Sequence, residues 1–205
     1  MTNRPEAVVF DVGRVIVRWE PVDFLRTLFD DPDEAQWFVD HVVTIDWHGQ
    51  HDAGRAIAEM VAERQAIFPE YAKQIAAYDT RWLETIPGPV PGTIELIERL
   101  NALGVPLYAI TNFGADFWAR FRPTQPVFGR FRDIVVSGEE KLLKPGSAIF
   151  DLAEKRFGHR RESMLFIDDN EHNIAAARRL GWQVHHFTDA ASLESALVEA
   201  GLLPE

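Results

Sequence analysis

No cysteine occurs among the 205 residues, which excludes disulfides, thiolate metal sites and a cysteine nucleophile together. No apolar run approaches the ~18 residues of a membrane span. Asp11 cuts the first short one, so residues 1–10 carry no signal-peptide core. Basic residues are scarce: 21 Lys and Arg against 32 Asp and Glu leave a formal net charge of −11. A chain of that sign repels phosphodiester backbones and anionic lipid, which argues against nucleic acid and membrane surfaces as partners. A cation held in one acidic site would reverse that argument locally. There is no glycine-rich phosphate loop and no basic stretch interleaved with aromatics for stacking bases. Low-complexity segments and internal repeats are also missing. The expectation is a soluble, cytoplasmic protein. What is present is ordinary for a globule: 46% hydrophobic and 26% charged residues, which rules out disorder, collagen and coiled coil. At ~150 residues per domain, this length suits one domain, or one with an insertion.

Ala7-Val8-Val9-Phe10 is a continuous apolar run closed by Asp11, the pattern of a strand buried on both faces. Similar runs follow at 105–110 (VPLYAI), 134–136, 164–167 (MLFI) and 183–187 (QVHHF). Helical periodicity lies between them. One helix is opened by Pro91 and followed by Gly104, a second spans 147–157, a third spans 170–180 with Gly181 past its end, and a fourth spans 190–200. This alternation predicts an α/β fold with a parallel sheet covered by helices on both faces. Residues 22–84 break the pattern. Pro21 and Pro32 open helical stretches, 53–68 is strongly helical, and Pro69 suits the first turn of another helix running towards Trp82. No strand is evident there, and the stiff IPGPVPG at 86–92 closes the segment.

In an open parallel sheet, ligands bind beyond the carboxyl ends of the strands, where the strand order reverses. Asp11 follows the first run, Thr111-Asn112 the second, and Lys144-Pro145 lies past the third. Asp168-Asp169-Asn170 and then Asn173 follow the fourth. One aspartate at a strand end is usually a turn or cap residue. A carboxylate, a hydroxyl, an ammonium and a carboxylate pair at successive ends are difficult to attribute to capping. Crowded carboxylates repel one another unless a cation lies between them, and a hard ion such as magnesium takes oxygen ligands. A threonine hydroxyl and a lysine ammonium suit the other oxygens of a tetrahedral anion. With no cysteine and no Ser-His-Asp order, one carboxylate is left as nucleophile, the aspartyl-phosphate route.

VVFDVGRVIV, YAITN, KPGSAIF and MLFIDDNEHNIAAARRLGW, in this order and spacing, resemble the four motifs of the haloacid dehalogenase superfamily across the whole chain. The resemblance implies a Rossmann-like core, residues 1–20 and 86–205, with a small α-helical cap, 21–85, closing over the substrate. It implies a magnesium-dependent phosphatase acting on a small phosphorylated metabolite, with sugar phosphates among the candidates. On the same grounds Asp11 attacks phosphorus in line, Thr111 binds the phosphoryl group with help from Asn112, and Lys144 neutralises charge. Mg2+ is then held by Asp11, by Asp169, by Asp168 directly or through water, and by the backbone carbonyl of Gly13.

One departure matters. Phosphatases of the family commonly carry a second aspartate two residues after the nucleophile, as general acid and base; here that position is Gly13. General acid–base catalysis is worth ~10²–10⁴ in rate. Some similar phosphatases, sugar-phosphate phosphatases included, share the Asp-x-Gly form. The acid then comes from water or from the cap, where Asp46-Trp47-His48 and His51-Asp52 are available, or a good leaving group makes it unnecessary. A 2-haloacid dehalogenase is the second reading, because attack on carbon needs no leaving-group acid, although such enzymes need no magnesium and lack the acid pair. A catalytically inactive phospholigand-binding regulator is the third. Trp47 and His48 are the cap's substrate-binding candidates. Trp37, Trp47, Phe68 and Trp82 either line a sugar site or form the cap core, and His48 and His51 are either a cap acid or exposed loop residues. Lys141 competes with Lys144 as the ammonium. Asn173 orients Asp169 or Thr111, or caps its helix. Arg14 and Arg18 either meet an anionic substrate or form a solvated flap.

Overall fold

The computed structural model describes residues 4–204. Residues 1–3, where the expected core and the stretch without a signal core begin, and residue 205 lie outside the described residues. Strand β1 (Ala7–Phe10) is buried at every position, as an unbroken apolar run demands of a strand covered on both faces. Beyond it the chain forms a flap in which Gly13 bridges to Val17 and Val17 to Pro89. A wholly helical stretch follows. Helices α1 (Pro21–Arg26) and α2 (Pro32–His41) begin on the prolines expected to open them, where the missing N–H costs nothing. Helix α3 (Ile45–Asp52) has little apolar periodicity to announce it. It starts where Thr44 Oγ1 accepts the Trp47 N–H at 3.1 Å, satisfying one orphan donor of its first turn. Helix α4 (Ile57–Ile67) begins later than the expected residue 53, since Gly54, at φ +95°, breaks the chain after α3. Pro69 opens a single 3₁₀ turn, and α5 (Ala72–Thr80) follows it.

Helix α6 (Thr93–Ala102) starts after Gly92, at φ +84°, rather than on Pro91. Then come β2 (Leu107–Thr111), α7 (Ala115–Phe121), β3 (Asp133–Val136) and the one-turn α8 (Ser137–Glu140). The chain continues through α9 (Ser147–Phe157), β4 (Met164–Asp168), α10 (Glu171–Arg179), β5 (Gln183–His186) and α11 (Ala190–Glu199). Among the described residues the five strands are all parallel, in the order β3-β2-β1-β4-β5, so the α/β architecture expected from the alternation is the one observed. The two-residue period of the strands sorts their side chains. Val8, Phe10 and Ile167 share one core with Leu96 of α6 and Leu193 of α11. Ala7, Val9 and Phe166 share the other with Phe150 of α9 and Ile174 of α10. Because β2 and β4 flank β1 on opposite sides, the carboxyl ends of these three strands meet at the point where strand order reverses, the usual position of a ligand crevice. Among the described residues no helix is long and apolar enough to cross a membrane.

The helical layer sits on the core through a glycine contact. A Cβ on Gly114 would overlap the ring of His51, which is buried and whose Nδ1–H donates to the Arg55 carbonyl at 2.7 Å. Gly114 has an ordinary φ of −65°, so space rather than backbone freedom demands glycine there. Gly114→Ala is therefore expected to cost on the order of 1–3 kcal/mol, read as a lowered Tm. An unchanged Tm would mean that the His51 ring yields freely.

Candidate active site

Strand register explains why the first two acids meet. Phe10 pairs with Ile167, so Asp11 and Asp168 stand side by side one residue further along, and the Asp11 N–H donates to the Ile167 carbonyl at 2.8 Å. Lys144 reaches both from the loop between α8 and α9. Its Nζ donates to Asp11 Oδ1 at 2.9 Å, to Asp168 Oδ2 at 2.7 Å and to the Ile110 carbonyl at 2.9 Å, one acceptor for each ammonium hydrogen. Asn112 pins that loop: its amide donates to the Lys144 carbonyl at 3.0 Å and accepts the Lys144 N–H at 2.9 Å. Lys141, the competing ammonium, instead ends α8 at φ +56° and packs its side chain beside Gly54.

Asp168 is fully buried and saturated by the protein. Asn173 Nδ2 donates to both of its oxygens, at 3.0 and 3.1 Å, and the Asn170 N–H donates at 2.8 Å. The partner of Asn173 is thus Asp168, not Asp169 or Thr111. Asp169 is half-buried and lines the cavity, and its backbone carbonyl is held by His186 Nε2 at 2.9 Å. One carboxylate oxygen from each of Asp11, Asp168 and Asp169 lies within 4.8 Å of the others.

The electrostatics follow from this crowding. Burial raises the Asp11 pKa, Lys144 opposes, and the charges of Asp168 and Asp169 add to the rise. Asp169 is raised by burial and then by Asp168, against Arg14 and Lys144. Burial alone pulls the Lys144 ammonium down, but the two aspartates outweigh it and hold its pKa above the usual value. Three carboxyl groups share one ammonium. An all-oxygen donor set of that charge fits a hard divalent cation.

Asp11, Gly13, Asn112, Lys144 and Asp169 line a cavity of about 310 Å³ together with His48, Gly49 and Asp52 of α3 and with Trp19 and Trp82. Thr111, buried at the end of β2, is not among the lining residues, whereas Asn112 is. Trp47 is corrected by the structure: it packs against Tyr78 at 5.7 Å in the helical layer and does not reach the cavity. Its indole is large and apolar, and the interior of the layer takes it. Trp82 lines the cavity instead, stacked on Phe117 at 4.4 Å. Trp37 is 41% exposed and stacks on His41, away from the cavity. Phe68 packs edge-on to Trp37 at 6.1 Å. Arg14, at φ +59°, stands over Trp19 at 5.3 Å and lines the cavity, whereas Arg18 faces Glu20 at 3.8 Å.

His48 and His51 are buried on α3, not exposed in a loop. The Tyr78 hydroxyl donates to His48 Nδ1 at 2.7 Å, and His48 Nε2 lies 3.4 Å from Asp52 Oδ2. Burial, then the neighbouring His51, lowers His48 to about 3. Burial raises Asp52 to about 7, weakly opposed by His51, the Gly114 N–H and Lys144. Between about pH 3 and pH 7 the pair is therefore a neutral imidazole beside a protonated carboxyl, not an ion pair. No sequence signal points to Tyr78, which comes from a helix 30 residues away.

The family model for haloacid dehalogenase-like hydrolases matches residues 5–181. An (S)-2-haloacid dehalogenase of Pseudomonas putida is 29% identical over 96 residues, 47% of this chain and 42% of that protein. The aligned stretch is thus less than half of the dehalogenase's length. A sesquiterpene phosphatase of Aspergillus oryzae is 23% identical over 192 residues, 90% of this chain and 91% of that one. A haloacid dehalogenase family enzyme of Bacteroides thetaiotaomicron, solved with magnesium and inorganic phosphate, superposes with a TM-score of 0.68 at 20% identity, covering 89% of this chain and 94% of that chain. That last likeness is one of fold.

Proposed function

Since the chain belongs to the haloacid dehalogenase-like hydrolases, we propose that it is a magnesium-dependent phosphatase of small organic monophosphates. The observation that carries this reading is Asp169, a third carboxyl group that lines the cavity beside Asp11 and Lys144. A 2-halocarboxylate is an anion with no phosphoryl oxygens to share a metal, and crowded carboxylates without a cation would repel it. A phosphatase uses the third carboxyl group, because Asp11, Asp169 and the Gly13 carbonyl would hold a divalent ion, and that ion would offset the charge of the phosphoryl oxygens. Asp11 is the nucleophile and becomes the aspartyl phosphate. Lys144, fixed by Asn112, opposes the rise in the Asp11 pKa and holds its carboxyl in place, and Asp168 holds Lys144. Thr111, next to Asn112, is the expected hydroxyl donor to the phosphoryl group. The overall acidity of the chain is no obstacle, since Lys144 and Arg14 stand at the site and a divalent ion there would offset the carboxylates.

The shared stretch with haloacid dehalogenases keeps one alternative alive, attack of Asp11 on the carbon of a 2-haloacid. A panel of phosphate esters and 2-chloropropionate, each assayed with magnesium and with a chelator, separates the two. Phosphate release that requires magnesium is the expected result. Chloride release in the presence of the chelator would establish the dehalogenase, and no turnover of any compound would leave a phospholigand-binding role.

A further inference from the structure

We propose that Asp52 is the general acid that protonates the leaving oxygen, doing from the helical layer what Gly13 cannot. This rests on the phosphatase reading above. Asp52 lines the same cavity as Asp11, its side chain is only 13% exposed, and its Oδ1 is buried with no hydrogen-bond partner of good geometry among the described residues. A desolvated carboxyl group at the wall of a cavity favours its protonated form, the form that can donate to a ligand.

Its position is fixed from two sides. The Ser137 hydroxyl donates to the Asp52 backbone carbonyl at 2.7 Å and accepts the Phe113 N–H at 2.9 Å, so the end of α3 is tied to the segments that follow β2 and β3. His48, one turn earlier on α3, and Tyr78 of α5 orient the carboxyl from behind through the contacts given above; both are positioning residues. The titratable groups around Asp52 are His48 and His51 on its own helix, Tyr78 on α5 and Lys144 from the core. Burial dominates them, so Asp52 keeps its proton to about pH 7, where an acid catalyst is useful. Gly13 itself is not demanded by the fold: its φ is not positive, and a Cβ there would meet nothing within 4 Å. The fold leaves room for a side chain at position 13.

In the step, an Asp11 oxygen bonds to phosphorus while the phosphorus–ester bond breaks. The bonding pair leaves with the ester oxygen, which takes the Asp52 proton and departs as an alcohol. Water then attacks the aspartyl phosphate and gives its proton to the Asp52 carboxylate. Inorganic phosphate leaves, with Asp11 and the protonated Asp52 restored.

The test uses the full chain with magnesium and measures first-turnover release from an alkyl phosphate and from p-nitrophenyl phosphate. Asp52→Asn is expected to slow alkyl release by about 10²–10³-fold, and nitrophenol release, which needs no acid, by less than about tenfold. Nitrophenol then appears as a burst, because hydrolysis of the aspartyl phosphate has lost its base. Adding Gly13→Asp to Asp52→Asn is expected to recover at least about tenfold of alkyl release. In the unsubstituted protein, alkyl release falls above about pH 7, the limb set by Asp52. Equal slowing of both substrates, no slowing, or a raised KM with unchanged kcat would overturn the assignment. If Asp52→Asn does not fold, the leaving-group dependence of the unsubstituted protein decides: a shallow dependence supports the acid, and a steep loss of rate with poorer leaving groups means that none is present. All of these outcomes require an active phosphatase, so failure of that reading would show first, as no phosphate release at all.

Discussion

Asp11→Asn is expected to reduce magnesium-dependent phosphate release by at least about 10⁴-fold, since loss of a nucleophile is not made good by the rest of a site, while the protein folds as well as before. The amide has the shape of the carboxylate. Its oxygen still accepts the Val12 N–H, now at 2.7 Å, and the Lys144 ammonium, now at 2.9 Å. Lys144 keeps Asp168 and the Ile110 carbonyl. One of three mutually repelling carboxyl groups loses its charge, so Tm should stay level or rise. Phosphate release at saturating magnesium and a thermal melt check the two halves separately. Turnover retained within a factor of ten would mean that another group attacks phosphorus.

Lys144→Met has the opposite effect on stability. The apolar chain fills a similar volume, but Asp11 and Asp168 lose the cation between them and stay out of water. Removing one partner from a buried ionic cluster costs about 3–5 kcal/mol, which for a chain of this size lowers Tm by roughly 6–20 °C. Turnover should vanish as well, because nothing then opposes the burial that keeps Asp11 protonated, and nothing aims it. Magnesium is expected to raise the Tm of this variant more than that of the unsubstituted protein, since a divalent ion at Asp11 and Asp169 relieves the same repulsion. Melting curves at pH 8, with magnesium and with a chelator, measure both effects. A variant that melts like the unsubstituted protein in the chelator would show that Lys144 carries no structural charge balance. The pair of substitutions separates chemistry from folding at adjacent positions of one site.

Much of this site is legible in the chain because strand ends are local events. An apolar run closed by a polar residue marks both a buried strand and the side chain at its tip, which is how Asp11, Thr111 and Asp168 are found. Lys144 is less secure from sequence, since it lies in a loop that also holds Lys141, although the Lys-Pro pairing and the helix after it favour Lys144. The αL turn at Lys141 and the Asn112 clamp on Lys144 decide between them. Asn173 shows a smaller failure: its spacing announces a contact across the helix start but not which aspartate receives it.

The helical stretch between β1 and α6 is where sequence reading is poorest. Aromatic residues at helical spacing face either a core or a cavity, and composition treats these as alike. Trp47 goes inward and Trp82 lines the cavity. His48 and Asp52 carry their environment from afar: Tyr78 stands 30 residues from His48, and Ser137 stands 85 from Asp52. By itself, then, the sequence determined the parallel α/β sheet and the acids and ammonium at its crevice, because burial period and strand ends are written along single elements. Only the tertiary structure decided which carboxyl groups line the cavity and which groups hold them there, because desolvation and hydrogen-bond partners arise between segments that meet only on folding.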